Sequence, residues 1–387
     1  MSTAPASDSI RTRPVTNCFL CNTPGEVLYS GMRDRSFGAP GEWSERRCPK
    51  PDCGLVWLDP QPTPEDIGKA YQTYYTHNQP APGTSLLRDA VYGVWRSYLR
   101  VRLGYETGVG PAWRAIFSPL ALLHPGGPDE LDSAAMYLPA PTSPARVLDV
   151  GCGSGVLLAR MKSLGWEVQG VEVDPGGVTA ARARGVAVHQ GQLTEAKFPD
   201  HHFDAVHSAH VIEHVHDPVA LLRECFRILK PGGKLVILTP NTASFGHKHF
   251  GSAWLNLDPP RHLILFNQQT LRSAAEQQGF IVERLDTTVR SAWVYGTLSR
   301  LIRQTGRGEM AALAKGGITL TPERLKLSHA AHLITPAHVA LDKAEFRIVP
   351  DAAAAVPALL AGDVQAFPFF PPEAIAQIKD DPRFKIV

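Results

Sequence analysis

The sequence predicts an α/β fold, with a parallel sheet between helices, a small cysteine-containing module before it and a short α/β appendage after it. The run 145–155, A-R-V-L-D-V-G-C-G-S-G, joins an apolar strand pattern to three glycines, and a helical pattern follows. Strand and helix patterns then alternate as far as residue 241, which is typical of a parallel sheet with crossover helices. Two close cysteine pairs lie apart from that pattern, within residues 18–53.

Length and composition limit the classes of protein to consider. A chain of 387 residues is long enough for two or three domains. Its net charge of +2 offers no electrostatic reason to expect nucleic acid or an anionic membrane as partner. The N-terminus lacks a basic region followed by an apolar run, and no apolar stretch approaches the ~20 residues of a membrane span. We therefore expect a cytoplasmic protein without a membrane span, and the oligomeric state stays open.

The glycine-rich run is the first candidate for a binding site. A strand, a glycine turn and a helix together bring bare backbone and a helix N-terminus against a ligand. The next predicted strand, 167–173, ends near Glu172, which lies 21 positions after Gly151. An acid at that place can accept hydrogen bonds from a ribose diol. Nicotinamide and flavin proteins also use such glycines, so the loop alone does not identify the ligand.

Four motifs in order make the chain similar to the class I S-adenosylmethionine-dependent methyltransferases, whose sheet is Rossmann-like. They are VLDVGCGSG, GVEVD, FDAVHSAHVIEHVHDP and RILKPGGKLVILTPN. They cover about residues 146–241, with a weaker match to about residue 286. The resemblance implies a methyltransferase that binds S-adenosyl-L-methionine.

The same resemblance implies roles for individual residues in cofactor binding. Asp149 would face the methionine end of the cofactor, and Glu172 would hold its ribose. The glycines would allow close approach of the backbone; they are Gly151, Gly153 and Gly155. The family often has an acidic residue contacting adenine after Gly191, and here Gln192 stands in that region.

The pattern His210-x-x-Glu213-His214 permits two interpretations. It matches an inverted zinc-peptidase motif, in which two histidines on one helix hold zinc. A peptidase would need a third ligand from a following helix, and Glu-His is common at this place in the methyltransferase family. We therefore place Glu213 and His214 beside the methyl acceptor, with His214 as a candidate general base. The alternative is that both residues only orient loops.

The segment after the fifth predicted strand adds another candidate. The run P-P-R-H-L-I-L-F-N resembles a loop of the small-molecule methyltransferases that places His262 on the cleft. Asp258-Pro-Pro-Arg261 also resembles the D-P-P-Y box of nucleic-acid base methyltransferases. That box ends in an aromatic residue and follows the fourth strand, so base methylation is not our first choice. Residues 266–280 predict a helix with Asn267 as N-cap and Gly279 as its end.

Four early cysteines predict a metal site. Their two close pairs, Cys18 with Cys21 and Cys48 with Cys53, suit a tetrahedral thiolate Zn²⁺ site in an intracellular chain. The second pair has four intervening residues, which is looser than the usual two. Four unrelated buried thiols are the alternative.

The run 48–75 resembles the N-terminal zinc-binding module of bacterial small-molecule and sugar methyltransferases. The resemblance implies a structural zinc and a module that helps to wall the substrate cleft. Tyr71, Tyr74 and Tyr75 are candidates for that wall or for a packed aromatic edge. A non-catalytic zinc ribbon that binds nucleic acid or a protein partner is the rival function, and it would need a basic, aromatic face.

The sequence predicts four regions and an acceptor class. They are a zinc-binding module (1–78), a helical linker (79–143), a methyltransferase domain (144–316) and an appendage (317–387). Within the linker, residues 85–103 predict a helix between the module and the catalytic domain. The appendage resembles a fragment of a peptide-type solute-binding protein of an ABC transporter, which suggests a fusion remnant or else a coincidental helical tail. The expected acceptor is a sugar, a natural product or a cell-envelope intermediate.

Overall fold

The computed structural model describes residues 9–72, 86–108, 110, 127–288 and 292–308, of which 86–94, 127 and 293 are described for the backbone only. Tyr74 and Tyr75 lie outside the described residues, as does the whole predicted appendage. No helix in the described ranges combines the length and apolarity that crossing a bilayer requires.

The N-terminal module is built from short antiparallel strands. Its strands are β1 (Thr12–Arg13), β2 (Glu26–Met32), β3 (Trp43–Arg47), β4 (Val56–Leu58) and β5 (Gln61–Pro62). Strands β2, β3 and β4 pair in that order, while β1 pairs separately with β5. Helices α1 (Leu86–Leu103) and α2 (Gly127–Ser133) follow.

The central sheet has five parallel strands, as the sequence predicts. They are β6 (Arg146–Val150), β7 (Glu167–Glu172), β8 (Ala187–Gln190), β9 (Phe203–Ala209) and β10 (Leu229–Leu238), in the spatial order β10-β9-β6-β7-β8. The intervening helices are α3 (Val156–Ser163), α4 (Pro175–Ala183) and α5 (Pro218–Ile228). The α/β prediction is therefore confirmed, and the carboxyl ends of β6, β7, β9 and β10 share one edge.

The central strand β6 is buried on both faces, which explains its continuous apolar run. Leu148 and Val150 belong to a core that continues into the N-terminal module through Trp57. Val147 points into a second core, on the other face of the strand, which holds Leu99 of α1. The described side chains of α1 thus pack against the catalytic sheet, not between that sheet and the module as the sequence suggested.

A short strand after the central sheet joins the module to the catalytic sheet. Strand β11 (Ile264–Leu265) pairs antiparallel with β4 and completes a four-stranded sheet, in the order β11-β4-β3-β2. The Leu58 amide and the Gln61 side chain both donate to the carbonyl of Leu263. The N-terminal sheet therefore holds a segment that is about 200 residues away in sequence, and this segment carries His262.

Three helices follow the central strands, namely α6 (Phe245–Phe250), α7 (Gln268–Glu276) and α8 (Ala292–Thr305). Asn267 caps α7, because its side-chain oxygen accepts from the Thr270 amide at 2.8 Å. The predicted cap is confirmed. Gly279 has a left-handed φ of 91° just after the helix, at the predicted end of this segment.

Candidate active site

The glycine loop between β6 and α3 is tied to the end of β7. The Gly151 amide donates to the carbonyl of Val171 at 2.8 Å. The Gly153 amide donates to Oε2 of Glu172 at 2.7 Å, while Oε1 accepts from the Asp174 amide at 2.8 Å. Glu172 is almost fully buried, and its carboxylate anchors the glycine loop to the end of β7. The structure therefore brings together the predicted glycine loop and Glu172, the residue predicted to bind the ribose.

The loop requires glycine because of its backbone conformation and because neighbouring side chains leave no space for a Cβ at two of its positions. Gly151 and Gly155 have left-handed φ, and a Cβ at either would be blocked, at 2.5 Å from Val211 or 2.7 Å from Ala181. A Cβ on Gly153 would meet nothing within 4 Å. Gly153 thus borders open space, whereas Gly151 lies against the segment that carries Glu213.

Asp149 forms a buried pair that the sequence did not indicate. Its Oδ1 lies 2.7 Å from Nδ1 of His207, and both side chains are buried. His207 stands opposite Asp149 in the parallel register of β6 and β9. Only the strand pairing reveals this partner, because the two residues are 58 positions apart.

Gln192 is exposed at the surface of the protein. Its side chain caps the 3₁₀ helix Leu193–Glu195, and its amide donates to the Glu195 carboxylate at 2.7 Å. The contact with adenine that the resemblance implies for Gln192 stays a prediction.

Three side chains from two distant segments converge at the edge of the sheet. A carboxylate oxygen of Glu213 and one ring nitrogen each of His214 and His262 lie within 4.8 Å of one another. The two imidazole rings meet edge to face, with centroids 4.7 Å apart. His210 contacts this group from outside, since its Nδ1 lies 3.1 Å from Oε1 of Glu213, and its φ of 56° is left-handed. The pattern around Glu213 forms a turn, so it is not the helical motif of a zinc peptidase.

Glu213 is held rigidly and stays ionised. Its side chain is fully buried, and Oε2 accepts from the Thr239 hydroxyl at 2.9 Å. Burial alone would raise its pKa, but the hydrogen bond and charge of His210, with the charges of His214 and His262, lower the pKa to about 2. An anionic carboxylate therefore faces the two histidines at neutral pH.

Both histidines are anchored through Nδ1. Nδ1 of His214 lies 3.0 Å from the Arg261 carbonyl and 2.9 Å from the Tyr71 hydroxyl. Nδ1 of His262 lies 2.6 Å from the Asn256 carbonyl. A carbonyl only accepts, so each Nδ1 carries a proton that it donates, and Nε2 is the ring nitrogen that remains on each histidine. Burial and the charge of His262 lower the pKa of His214 to about 4, which keeps that ring neutral at pH 7.

A buried ion pair fixes the loop that carries His262. The Arg261 guanidinium has no exposed surface and contacts both oxygens of Asp34, at 2.7 and 2.9 Å. It also contacts Asp258 at 2.9 Å and stacks 4.7 Å from the Phe37 ring centroid. The arginine that replaces the aromatic of a D-P-P-Y box thus joins the loop to the N-terminal module.

The four early cysteines form one cluster. Their sulfur atoms lie within 4.8 Å of one another, with Cys18 to Cys53 at 3.7 Å and Cys21 to Cys48 at 3.6 Å. These distances exclude disulfides and suit four thiolates around one tetrahedral ion. Gly54 has a left-handed φ of 65° directly after the last cysteine. The cysteines are therefore not four unrelated buried thiols, and the donor set fits Zn²⁺.

Comparisons with known proteins support a methyltransferase domain. Residues 128–285 match the methyltransferase domain family. The ubiquinone biosynthesis O-methyltransferase of Xanthomonas oryzae pv. oryzae is 39% identical over 136 residues, which are 33% of this chain and 56% of that protein. A probable S-adenosylmethionine-dependent methyltransferase of Mycolicibacterium smegmatis is 35% identical, covering 35% of this chain and 52% of that protein. This chain therefore spans little more than half the length of these relatives.

A solved structure also resembles this chain. It is a methyltransferase from Archaeoglobus fulgidus that is 27% identical, with a TM-score of 0.35, covering 41% of this chain and 73% of that one. Residues 128–285 match the methyltransferase domain family, and their parallel sheet and glycine loop have the Rossmann-like methyltransferase fold.

Proposed function

We propose that this protein transfers the methyl group of S-adenosyl-L-methionine to a small molecule, such as a sugar, a natural product or a cell-envelope intermediate. The cluster of Glu213, His214 and His262 carries the proposal, because the segment that holds Glu213 and His214 passes the glycine loop at Val211. The contact between Gly151 and Val211 supports that placement, since Val211 is two residues from Glu213. A cytoplasmic location remains a prediction.

The cofactor end of the proposal rests on the loop and on Glu172. Gly153 borders open space, and a ligand there would meet backbone and the N-terminal end of α3. We assign the ribose to Glu172 and the methionine end to Asp149. The Asp149 charge would then favour the ammonium and sulfonium groups of the cofactor.

The acceptor end of the proposal rests on proton removal. Methyl transfer is an in-line displacement in which an acceptor–carbon bond forms, the sulfur–carbon bond breaks and the sulfonium becomes a neutral thioether. A hydroxyl or carbon acid must also lose a proton, and we assign this to the three-residue cluster. His214, which is neutral at pH 7, can accept that proton on Nε2.

We assign the cysteine cluster to a structural Zn²⁺. It lies in the N-terminal module, and Asn267 donates to the Cys53 carbonyl at 2.7 Å. The metal would stabilise the strands that hold β11, and so the loop that carries His262. A structural ion contributes its binding energy to folding.

A labelled-methyl screen over nucleotide sugars and other small hydroxylated acceptors tests the proposal. His214→Ala should lower turnover by ~10²–10⁴-fold while calorimetry finds S-adenosyl-L-methionine binding nearly unchanged.

Gly153→Arg should lose cofactor binding instead, because its side chain would enter the open space beside the loop. Gly165→Arg is the matched control, with a left-handed φ and open space away from the site. Binding of NAD in place of S-adenosyl-L-methionine and its product S-adenosylhomocysteine would overturn the proposal.

A further inference from the structure

We propose that Glu213, His214 and His262 bind a divalent transition-metal cation, and that this cation activates the methyl acceptor. The inference rests on the proposed function, because it assigns a chemistry to the same cluster. The site would be a second metal centre of the chain, distinct from the four cysteines in both donor atoms and position.

The donor set is the first argument. Two imidazole nitrogens and one carboxylate oxygen lie within 4.8 Å of one another, close to the ~4.4 Å limit for two ligands that are each about 2.0–2.2 Å from one ion. Imidazole and carboxylate together favour ions such as Zn²⁺, Mn²⁺ or Fe²⁺. The four cysteines instead offer soft thiolates, so the two clusters would select different ions.

The second argument is the way in which the histidines are held. A histidine that binds a metal usually donates its other ring N–H to a carbonyl or a carboxylate, which fixes both the tautomer and the ring orientation. His214 does so to the Arg261 carbonyl, and His262 does so to the Asn256 carbonyl. Both rings are therefore prepared in the form that a metal requires. The carbonyls come from one continuous loop, so the two rings are oriented together.

The third argument concerns the carboxylate. Glu213 is buried without Lys or Arg among its hydrogen-bond partners, which are Thr239 and His210. A buried anion is costly unless it is paired with a cation. A divalent ion between Glu213 and the two imidazoles would place a permanent positive charge beside this buried carboxylate.

Three protein ligands leave coordination positions for other molecules, which is typical of a catalytic metal site. An acceptor hydroxyl bound at such a position would have a lowered pKa. Its proton would pass to solvent, the oxygen would take the methyl group, and the cofactor sulfur would leave as a neutral thioether. No oxidant or reductant is needed. The acceptor class is therefore a molecule with a hydroxyl that can reach the ion.

The test uses Mn²⁺ as the probe and the full chain with zinc retained. Mn²⁺ prefers oxygen and nitrogen donors, so it should not displace zinc from the cysteines. We expect one bound Mn²⁺ per chain, with pulsed electron paramagnetic resonance showing two coupled imidazole nitrogens. His262→Gln should leave one coupled nitrogen and should bind Mn²⁺ at least ~100-fold more weakly. Tyr71→Phe, which removes only an outer partner of His214, should weaken binding by ~10–100-fold or less.

The control is His201→Asn. His201 also contacts a carbonyl through Nδ1, at 3.0 Å from Leu229, but it lies outside the cluster. This variant should bind Mn²⁺ like the original protein, and circular dichroism should show that each variant is folded.

Two outcomes would overturn the inference. One is equal Mn²⁺ affinity in the original protein and His262→Gln, without nitrogen coupling. The other is methyl transfer that persists after chelation of every ion except the cysteine-bound zinc, which would leave His214 acting alone as a base and the proposed function intact. Failure of the proposed function itself would appear separately, as absent binding of S-adenosyl-L-methionine.

Discussion

The two clusters of ligating side chains in this protein are assembled in opposite ways. The cysteine cluster comes from two short turns in one module, with each pair only a few residues apart. The second cluster joins Glu213 and His214 to His262, which lies in a different segment. Spacing along the chain therefore reveals the first, whereas the second depends on the pairing of β11 with β4. A site made by long-range packing should also be more sensitive to damage elsewhere in the molecule.

The two clusters are physically connected, which gives the comparison a direct test. Asn267 contacts the Cys53 carbonyl from just beyond β11, and Arg261 contacts Asp34 from just before it. Loss of the module should therefore disturb the second cluster, while loss of the second cluster should leave the module intact.

The largest effect should follow removal of the cysteine ligands. Cys48→Ser with Cys53→Ser should lose the zinc, unfold the module and abolish methyl transfer, since the binding energy of a structural zinc is folding energy. Metal analysis and thermal unfolding would measure this. His210→Ala is the comparison variant, because it should retain the zinc. Zinc kept by the double variant but lost by His210→Ala would contradict our assignment.

The second largest effect is expected from loss of the Asp34–Arg261 ion pair, which joins the N-terminal module to the loop that carries His262. Asp34→Ala leaves the fully buried Arg261 with one partner fewer and should lower the free energy of unfolding by about 3–5 kcal/mol. Urea unfolding measures the change. Glu42→Ala removes an exposed partner of Arg33 instead, and should cost no more than about 1 kcal/mol. Equal effects of the two substitutions would show that Asp34 does not hold the loop.

A moderate effect should come from the cap of α7. Asn267→Ala removes both the cap and the contact with Cys53, and should cost about 0.5–2 kcal/mol of unfolding free energy. Asn267→Ser retains a capping oxygen but not the reach to Cys53. If the serine variant is fully as stable as the original protein, the contact with Cys53 contributes nothing measurable.

The smallest effect is expected from the C-terminal appendage. Truncation after residue 316 should leave the affinity for S-adenosyl-L-methionine unchanged, because every cofactor motif lies between residues 149 and 241. Calorimetry on the shortened chain would measure this. A shortened chain that folds but cannot bind the cofactor would show that the appendage packs on the catalytic domain.

The sequence alone determined the elements that depend on neighbouring residues. The apolar run of β6, its glycines, the Asn267 cap and the close cysteine pairs all act over a few positions, so their patterns are visible in the sequence. The order of the four motifs was sufficient to predict the parallel sheet and the methyltransferase class. The run Lys230-Pro-Gly-Gly233 resembles a turn, and the structure includes it in β10, where the pairing with β9 is interrupted between Leu229 and Lys234.

Only the tertiary structure decided which side chains meet across long distances. The sequence predicted Glu213, His214 and His262 near the methyl acceptor, but only the structure shows that these three side chains converge and that His210, with its left-handed φ, does not form a helical histidine pair. The pairing of Asp149 with His207 depends on the register of two parallel strands. These contacts result from loop closure and strand pairing between residues that are far apart in the chain. They therefore produce no periodic residue pattern that could be recognised in the sequence.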